Sequence, residues 1–330
     1  MRSNQTVGII GGIVASVIII AIVIFVNVPS ASDQTQRERI GVSENTDQLE
    51  SIPSESKIMV VASFYPLYEF TKNMGGKKID VITLIPIGIE PHDWEPTPVD
   101  IQRLSKADIF IYNGLDFEPW VNKIVTAGEL TNIIVVETSV DIELIELQED
   151  DHGHVSIDPH IWLDPILAKH QLNKVKEALI KADPINTQYY ENNAKTYMTK
   201  LDALDAKIRS ELANCEKDTF VSFHQAFGYF AKRYSLNEVS LGGLVPQAEA
   251  SPAQLKELVE FIRANDLKVI YSEELVDPRL AEVLAMEAGA KVLLLSPIEG
   301  LSDAETRKGV TYLEKMEQNL QNLKVGLECL

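Results

Sequence analysis

The stretch KIMVVASFYPLYEFTKNMGGKKIDVITLI, Lys57 to Ile85, sets the architecture. Lys57–Ala62 and Ile79–Ile85 are strand-like apolar runs, and Tyr65–Met74 between them reads as a helix. The same alternation continues outward. Asp108–Tyr112 (DIFIY) and Ile133–Glu137 (IIVVE) are strand-like, and Pro98–Ser105, Glu118–Ala127 and Pro165–Lys181 are helical. Strands alternating with helices imply an α/β fold with a mostly parallel sheet covered on both faces.

The pattern then repeats. Thr219–Phe223, Glu238–Leu241, Lys268–Ser272 and Lys291–Leu295 read as strands. Gln225–Tyr234, Ser251–Asn265, Pro278–Glu287 and Ala304–Leu327 read as helices. No strict sequence repeat accompanies this structural echo. Between the halves, Tyr190, Ala194, Tyr197, Leu201, Leu204, Ile208 and Leu212 keep one apolar stripe on one helical face. With Asp183 as cap and Pro184 at its start, a helix to Asn214 would run about 45 Å. A rod spanning two lobes fits this length, and too few heptads are present to favour a dimerising coiled coil. The expected division is 57–183 as the first lobe, 184–214 as the linking helix and 215–330 as the second lobe.

The chain has 330 residues, 45% of them hydrophobic and 24% charged, with a net charge of −19. This is globular composition, and so acidic a surface repels phosphate backbones, which argues against nucleic-acid binding. Val7–Val26 carries no charge and is long enough to cross a hydrocarbon core of about 30 Å. It is long for a cleaved leader, so residues 1–28 are expected to be a membrane anchor, with a cleaved signal as the alternative. Residues 29–56 are polar and aperiodic and read as a flexible tether. The rest of the chain then lies outside the cytoplasm, where Cys215 and Cys329 have the option of one disulfide.

Four separated segments carry the chemistry. In GIEPHDWEPTP, Gly88–Pro98, three prolines stiffen a loop that puts His92 at the carboxyl end of a strand, where open α/β sheets bind ligands. In DPHIWLDP, Asp158–Pro165, His160 lies between two Asp-Pro steps. A nearby carboxylate there suits the second nitrogen of a metal-bound imidazole, and Asp164 suits a helix cap. His224, in FVSFHQAFGYFAKRY, follows a strand of the second half, and Glu299, in LLLSPIEGL, follows the last strand. Three imidazoles and one carboxylate form a four-coordinate nitrogen/oxygen set suited to Zn²⁺, whereas Mn²⁺ and Mg²⁺ prefer more oxygen. His152 and His154 follow the acidic ELQEDD and read either as a loose metal collector or as a solvated loop. His170 has no supporting context and reads as structural.

These motifs, with KVLLLSPIEGL and GVTYLEKMEQNL near the end, resemble the zinc/manganese substrate-binding proteins of ABC transporters, the cluster A-I or TroA-like group, over Lys57 to Leu327. The resemblance implies two similar lobes, a rigid linking helix, a metal in the cleft between the lobes and delivery to a membrane permease. It places the ligands on His92, His160, His224 and Glu299. Manganese-type members usually have a carboxylate where His224 stands, so zinc is the expected cargo and manganese or iron the runner-up. The His-rich loop of zinc-type members shrinks here to His152-Gly153-His154. No lipid-accepting cysteine follows the apolar segment. A monomer is expected.

Two other classes compete. An extracellular zinc hydrolase would use three His and an open position, but no H-E-x-x-H, no G-x-S-x-G and no spare general base stands beside the ligands, and Glu299 would fill the site. A structural or adhesive surface protein would hold zinc only for stability. The expectation is therefore a binding protein and not an enzyme, with zinc affinity falling as pH drops through about 6 to 5.

Overall fold

Strand β1, Ile58–Ala62, alternates its side chains between two cores, and this alternation organises the first lobe. Val60 and Ala62 enter one apolar cluster and Val61 the other, as the two-residue period of a strand requires. Residues 57–149, 155–242 and 251–330 are described here by a computed structural model. The anchor segment Val7–Val26, the polar tether after it, and His152 and His154 lie outside the described residues. No helix among the described residues is long and apolar enough to cross a membrane.

The first sheet has the order β2-β1-β3-β4, with β2 at Ile79–Thr83, β3 at Ile109–Tyr112 and β4 at Ile134–Glu137, all parallel. Helix α1, Tyr65–Gly75, follows β1, α2 is Pro98–Leu104, and α3 is Trp120–Thr126. Helix α4 is Pro165–Ala182, and α5, the linking helix, is Thr187–Glu211. The second sheet repeats the plan as β10-β9-β7-β8. Its strands are β7 Thr219–Ser222, β8 Asn237–Ser240, β9 Val269–Ser272 and β10 Lys291–Leu294. Its helices are α6 Gly228–Tyr234, α7 Pro252–Ala264, α8 Arg279–Ala288, α9 Asp303–Lys308 and α10 Tyr312–Gly326. These are the two expected parallel-sheet lobes.

Each sheet has a private core on one face. Val61, Phe110, Trp120 and Val121 form one, and Val221, Ile262, Ile270 and Leu284 form the other. The opposite faces share a single core. Val60, Ile111, Trp162, Tyr197, Phe220, Tyr271 and Tyr312 all belong to it. Six of the seven stripe residues on the linking helix, Tyr190 through Ile208, are buried within α5, and Leu212 caps its end. Burying one such large apolar side chain is worth about 1.5–3 kcal/mol, so this face ties the linking helix to both lobes.

Several boundaries differ from the sequence expectation for local reasons. Pro184–Asn186 forms a 3-10 turn, so α5 begins only at Thr187 and runs about 37 Å rather than 45. The helix expected over Ala304–Leu327 is two helices. Gly309 ends α9 at φ 69°, and Thr311 starts α10 with a capping box to Glu314. Helix α6 starts at Gly228 instead of Gln225. A short antiparallel pair, β5 Glu146–Glu149 with β6 Val155–Ile157, forms where no strand was expected. Cys215 and Cys329 form a disulfide across a sequence separation of 114 and an antiparallel bridge.

Candidate metal centre

Every predicted ligand sits just past an element that fixes it. His92 lies beyond β2, in the proline-bounded loop before α2, whose N-cap Thr97 forms a capping box with Asp100. The His92 amide donates to Glu90 Oε1 at 3.0 Å. His160 precedes a 3-10 turn over Ile161–Leu163, and Asp164 caps α4 by accepting from the Ile166 amide. Asn113 Nδ2 donates to the Pro159 carbonyl at 2.9 Å, which holds the residue before His160. Glu118 secures that region in turn. Fully buried, it accepts from Ser63 Oγ and from the Asn113 and Gly114 amides, and burial pushes its pKa up to about 7. His224 follows β7 and Glu299 follows β10.

These four side chains, called from separate segments, converge. One donor atom from each lies within 4.8 Å of all the others. Glu299 Oε1 is 3.2 Å from His92 Nε2, 3.1 Å from His160 Nε2 and 3.5 Å from His224 Nε2. His160 Nε2 is 3.4 Å from both His92 Nε2 and His224 Nε2. Tetrahedral zinc with bonds of roughly 2.0–2.1 Å needs donor–donor edges of about 3.3 Å, and these five of the six edges lie close to that value. His160, His224 and Glu299 are buried, while His92 keeps slight exposure. Glu299 Oε2 is buried without a partner, so a single carboxylate oxygen faces the histidines.

Carboxylates behind two of the rings fix their tautomers. Asp158 Oδ1 accepts from the His160 amide at 2.9 Å and lies 2.8 Å from His160 Nδ1. Glu273 Oε1 lies 2.6 Å from His224 Nδ1. Each Nδ1–H then points at a carboxylate and each Nε2 lone pair at the shared centre. Asp158 was signalled by its Asp-Pro-His context. Glu273 was not singled out, although its place one residue beyond β9, at the end of the sheet used by the other site residues, is a readable signal. His170 stands apart, with Nε2 2.7 Å from the Val140 carbonyl.

Burial alone would push both buried imidazoles down. The carboxylates of Asp158 and Glu299 beside His160, and of Glu273 and Glu299 beside His224, outweigh it and raise both. Burial would push Glu299 up, but the neighbouring imidazoles hold it well below the usual carboxylate range. Burial, with the Glu299 charge, raises Glu90 to about 8. A divalent cation at the centre answers this field by taking the place of protons. Aromatic rings wall the site: Phe117 packs edge-on against His92 at 4.9 Å, and Trp162 lies 5.2 Å from His160. Trp162 Nε1 also donates to the Pro297 carbonyl at 2.7 Å, joining the two lobes beside Glu299. Four protein donors of this kind would fill the coordination of a tetrahedral ion, an arrangement suited to holding it.

Residues 60–326 match the family described as ZnuA, zinc-uptake complex component A, periplasmic. The chain is 42% identical over 280 residues to the high-affinity zinc uptake system protein ZnuA of Bacillus subtilis, covering 82% of this chain and 88% of that one. It is 36% identical to the zinc-binding lipoprotein AdcA of Streptococcus pneumoniae, with 82% of this chain matched to 56% of AdcA, so it spans little more than half of that longer relative. The Zn(II)-bound ZnuA-like domain of S. pneumoniae AdcA superposes with a TM-score of 0.73 at 35% identity, covering 82% of this chain and 99% of that domain. The metal-dependent lipoprotein YcdH of B. subtilis gives the same TM-score at 42% identity and the same coverage of both chains. With residues 60–326 matched by the family and a 42% identical relative aligned over 82% of this chain and 88% of its own length, this chain belongs to the ZnuA family of zinc-uptake components.

Proposed function

We propose that the chain captures Zn²⁺ outside the cytoplasm as cargo, through His92, His160, His224 and Glu299, and delivers it to an ABC permease in the membrane. The observation that carries this reading is the buried set of three Nε2 atoms and one carboxylate oxygen at tetrahedral spacing. Two carboxylates that orient His160 and His224 support it. Residues 57–183 and 215–330 act as the two lobes and 184–214 as their link, with ligands drawn from both lobes. The N-terminal segment 1–28 tethers the protein to the membrane, and the chain works as a monomer without catalysis.

Elemental analysis of the purified chain, paired with competition between Zn²⁺ and Mn²⁺, tests this. About one zinc per chain, retained against excess manganese, is the expected result. A protein that holds neither ion, or that prefers manganese, overturns it. Peptidase, esterase and phosphatase assays on the zinc-loaded protein are expected to show no turnover.

A further inference from the structure

The loop between β10 and α9 carries Glu299, and a lysine on α10 fastens this loop on both sides. Lys315 is fully buried, with Nζ 2.9 Å from Glu274 Oε1 and 2.8 Å from Glu305 Oε1. On the upstream side, Ser296 Oγ donates to the same Glu274 oxygen. Asn319, one turn along α10, accepts from the Ser296 amide at 2.8 Å and donates to its carbonyl at 2.7 Å. On the downstream side, Glu305 Oε2 accepts from the Ser302 amide at 2.9 Å and from its hydroxyl at 2.8 Å. Ser296 and Ser302 flank Glu299 symmetrically in sequence.

Inside this clamp, Ile298 is fully buried at φ +57°. A β-branched residue in the left-handed region is strained and persists only where its surroundings over-determine it. Here the Ile298 amide donates to Ser296 Oγ at 3.1 Å, so the clamp holds the strained turn directly. The turn aims Glu299 Oε1 at the three histidines and leaves Oε2 buried and unpartnered. Glu274 is also the chain neighbour of Glu273, which orients His224.

We propose that Lys315, acting through Glu274 and Glu305, is a positioning residue that restricts Glu299 to one coordinating oxygen and so sets the preference for zinc over manganese. This rests on the zinc-capture reading. One carboxylate oxygen completes a tetrahedral centre, which satisfies Zn²⁺. Manganese takes more oxygen donors, and a carboxylate released from the clamp is free to turn and present both oxygens. The ammonium of Lys315 is the group that keeps both carboxylate arms in place.

The test measures zinc and manganese dissociation constants by chelator competition on the full chain and on Lys315→Met, Lys315→Arg and Glu305→Gln. The zinc-to-manganese preference is expected to drop about tenfold in Lys315→Met, less in Glu305→Gln, and to recover in Lys315→Arg. A merely structural lysine would lower the melting temperature and leave the ratio of the two constants where it was, and an unmoved ratio in folded Lys315→Met overturns the proposal. Should Lys315→Met not fold, Glu305→Gln decides in the same way. Failure of the unaltered chain to bind zinc removes the capture reading itself and this inference with it, an outcome distinct from an unmoved ratio.

Discussion

Gly228→Ala should weaken zinc binding although Gly228 touches no ligand. Gly228 opens α6 with helical backbone, so alanine suits the local conformation and raises helix propensity. A Cβ there, however, would approach Asp158 Oδ2 closer than the 3.0 Å that real Cβ atoms keep. Asp158 is fully buried, and its other oxygen holds His160 twice, at the amide and at Nδ1. A retreat of about 1 Å along these bonds stretches both to about 3.8–3.9 Å, outside hydrogen-bond range. Loss of an outer carboxylate of this kind typically costs about 10–100-fold in metal affinity, or about 1.4–2.7 kcal/mol. The assay is chelator competition for zinc on the folded variant, with a thermal melt of the metal-free protein beside it. Unchanged zinc affinity in a folded Gly228→Ala protein would refute the claim that Asp158 orients His160.

Other perturbations follow from the same geometry. Removing a proposed ligand outright, as in His160→Ala or His224→Ala, should cost orders of magnitude in zinc affinity by calorimetry, and unchanged affinity would exclude that residue from the site. Glu118 and Glu238 are both raised to about 7, mainly by burial. Their stabilising contribution is complete below the unfolded value near 4.5 and is lost as pH rises through about 7, so the metal-free protein should melt higher at pH 5.5 than at 7.5, by up to about 1.4 kcal/mol per pH unit for each group. The raised His160 and His224 act in the same direction, whereas zinc affinity should fall on acidification. A metal-free melting temperature that climbs with pH across this window contradicts the burial argument. Reducing the Cys215–Cys329 bridge, or replacing both residues by serine, should destabilise the fold by about 2–5 kcal/mol in denaturant melts, since the bridge closes a long loop. No loss of stability on reduction would count against it.

Much of this was legible because the informative residues stand where strands end. Loops bounded by proline or glycine announced His92, His160 and Glu299 before any coordinates, and the stripe from Tyr190 to Leu212 fixed the buried face of α5. What stayed hidden depends on cooperation between distant segments. Glu273 matters only because β7 and β9 lie side by side and bring it to His224. Strand β5, Glu-Leu-Gln-Glu, is largely polar, and pairing with β6 rather than composition makes it a strand. The break between α9 and α10 was readable in principle, since Gly309 is followed by Thr311 and, three residues later, Glu314, but the apolar periodicity beyond it suggests one continuous helix. Lys315 resembles an ordinary surface lysine in sequence, and only the fold shows it between two carboxylates.

The indole of Trp162 gives the molecule a built-in optical probe. It lies beside His160 and reaches across to the segment that carries Glu299, while the Tyr312 hydroxyl donates to its carbonyl at 2.5 Å. Its emission is therefore expected to respond both to charge placed on the neighbouring imidazole and to any slackening of its bond to Pro297. Trp94 and Trp120 pack edge-on against each other in the first lobe, so a change in emission on adding zinc is expected to come chiefly from Trp162, giving a label-free readout of metal binding.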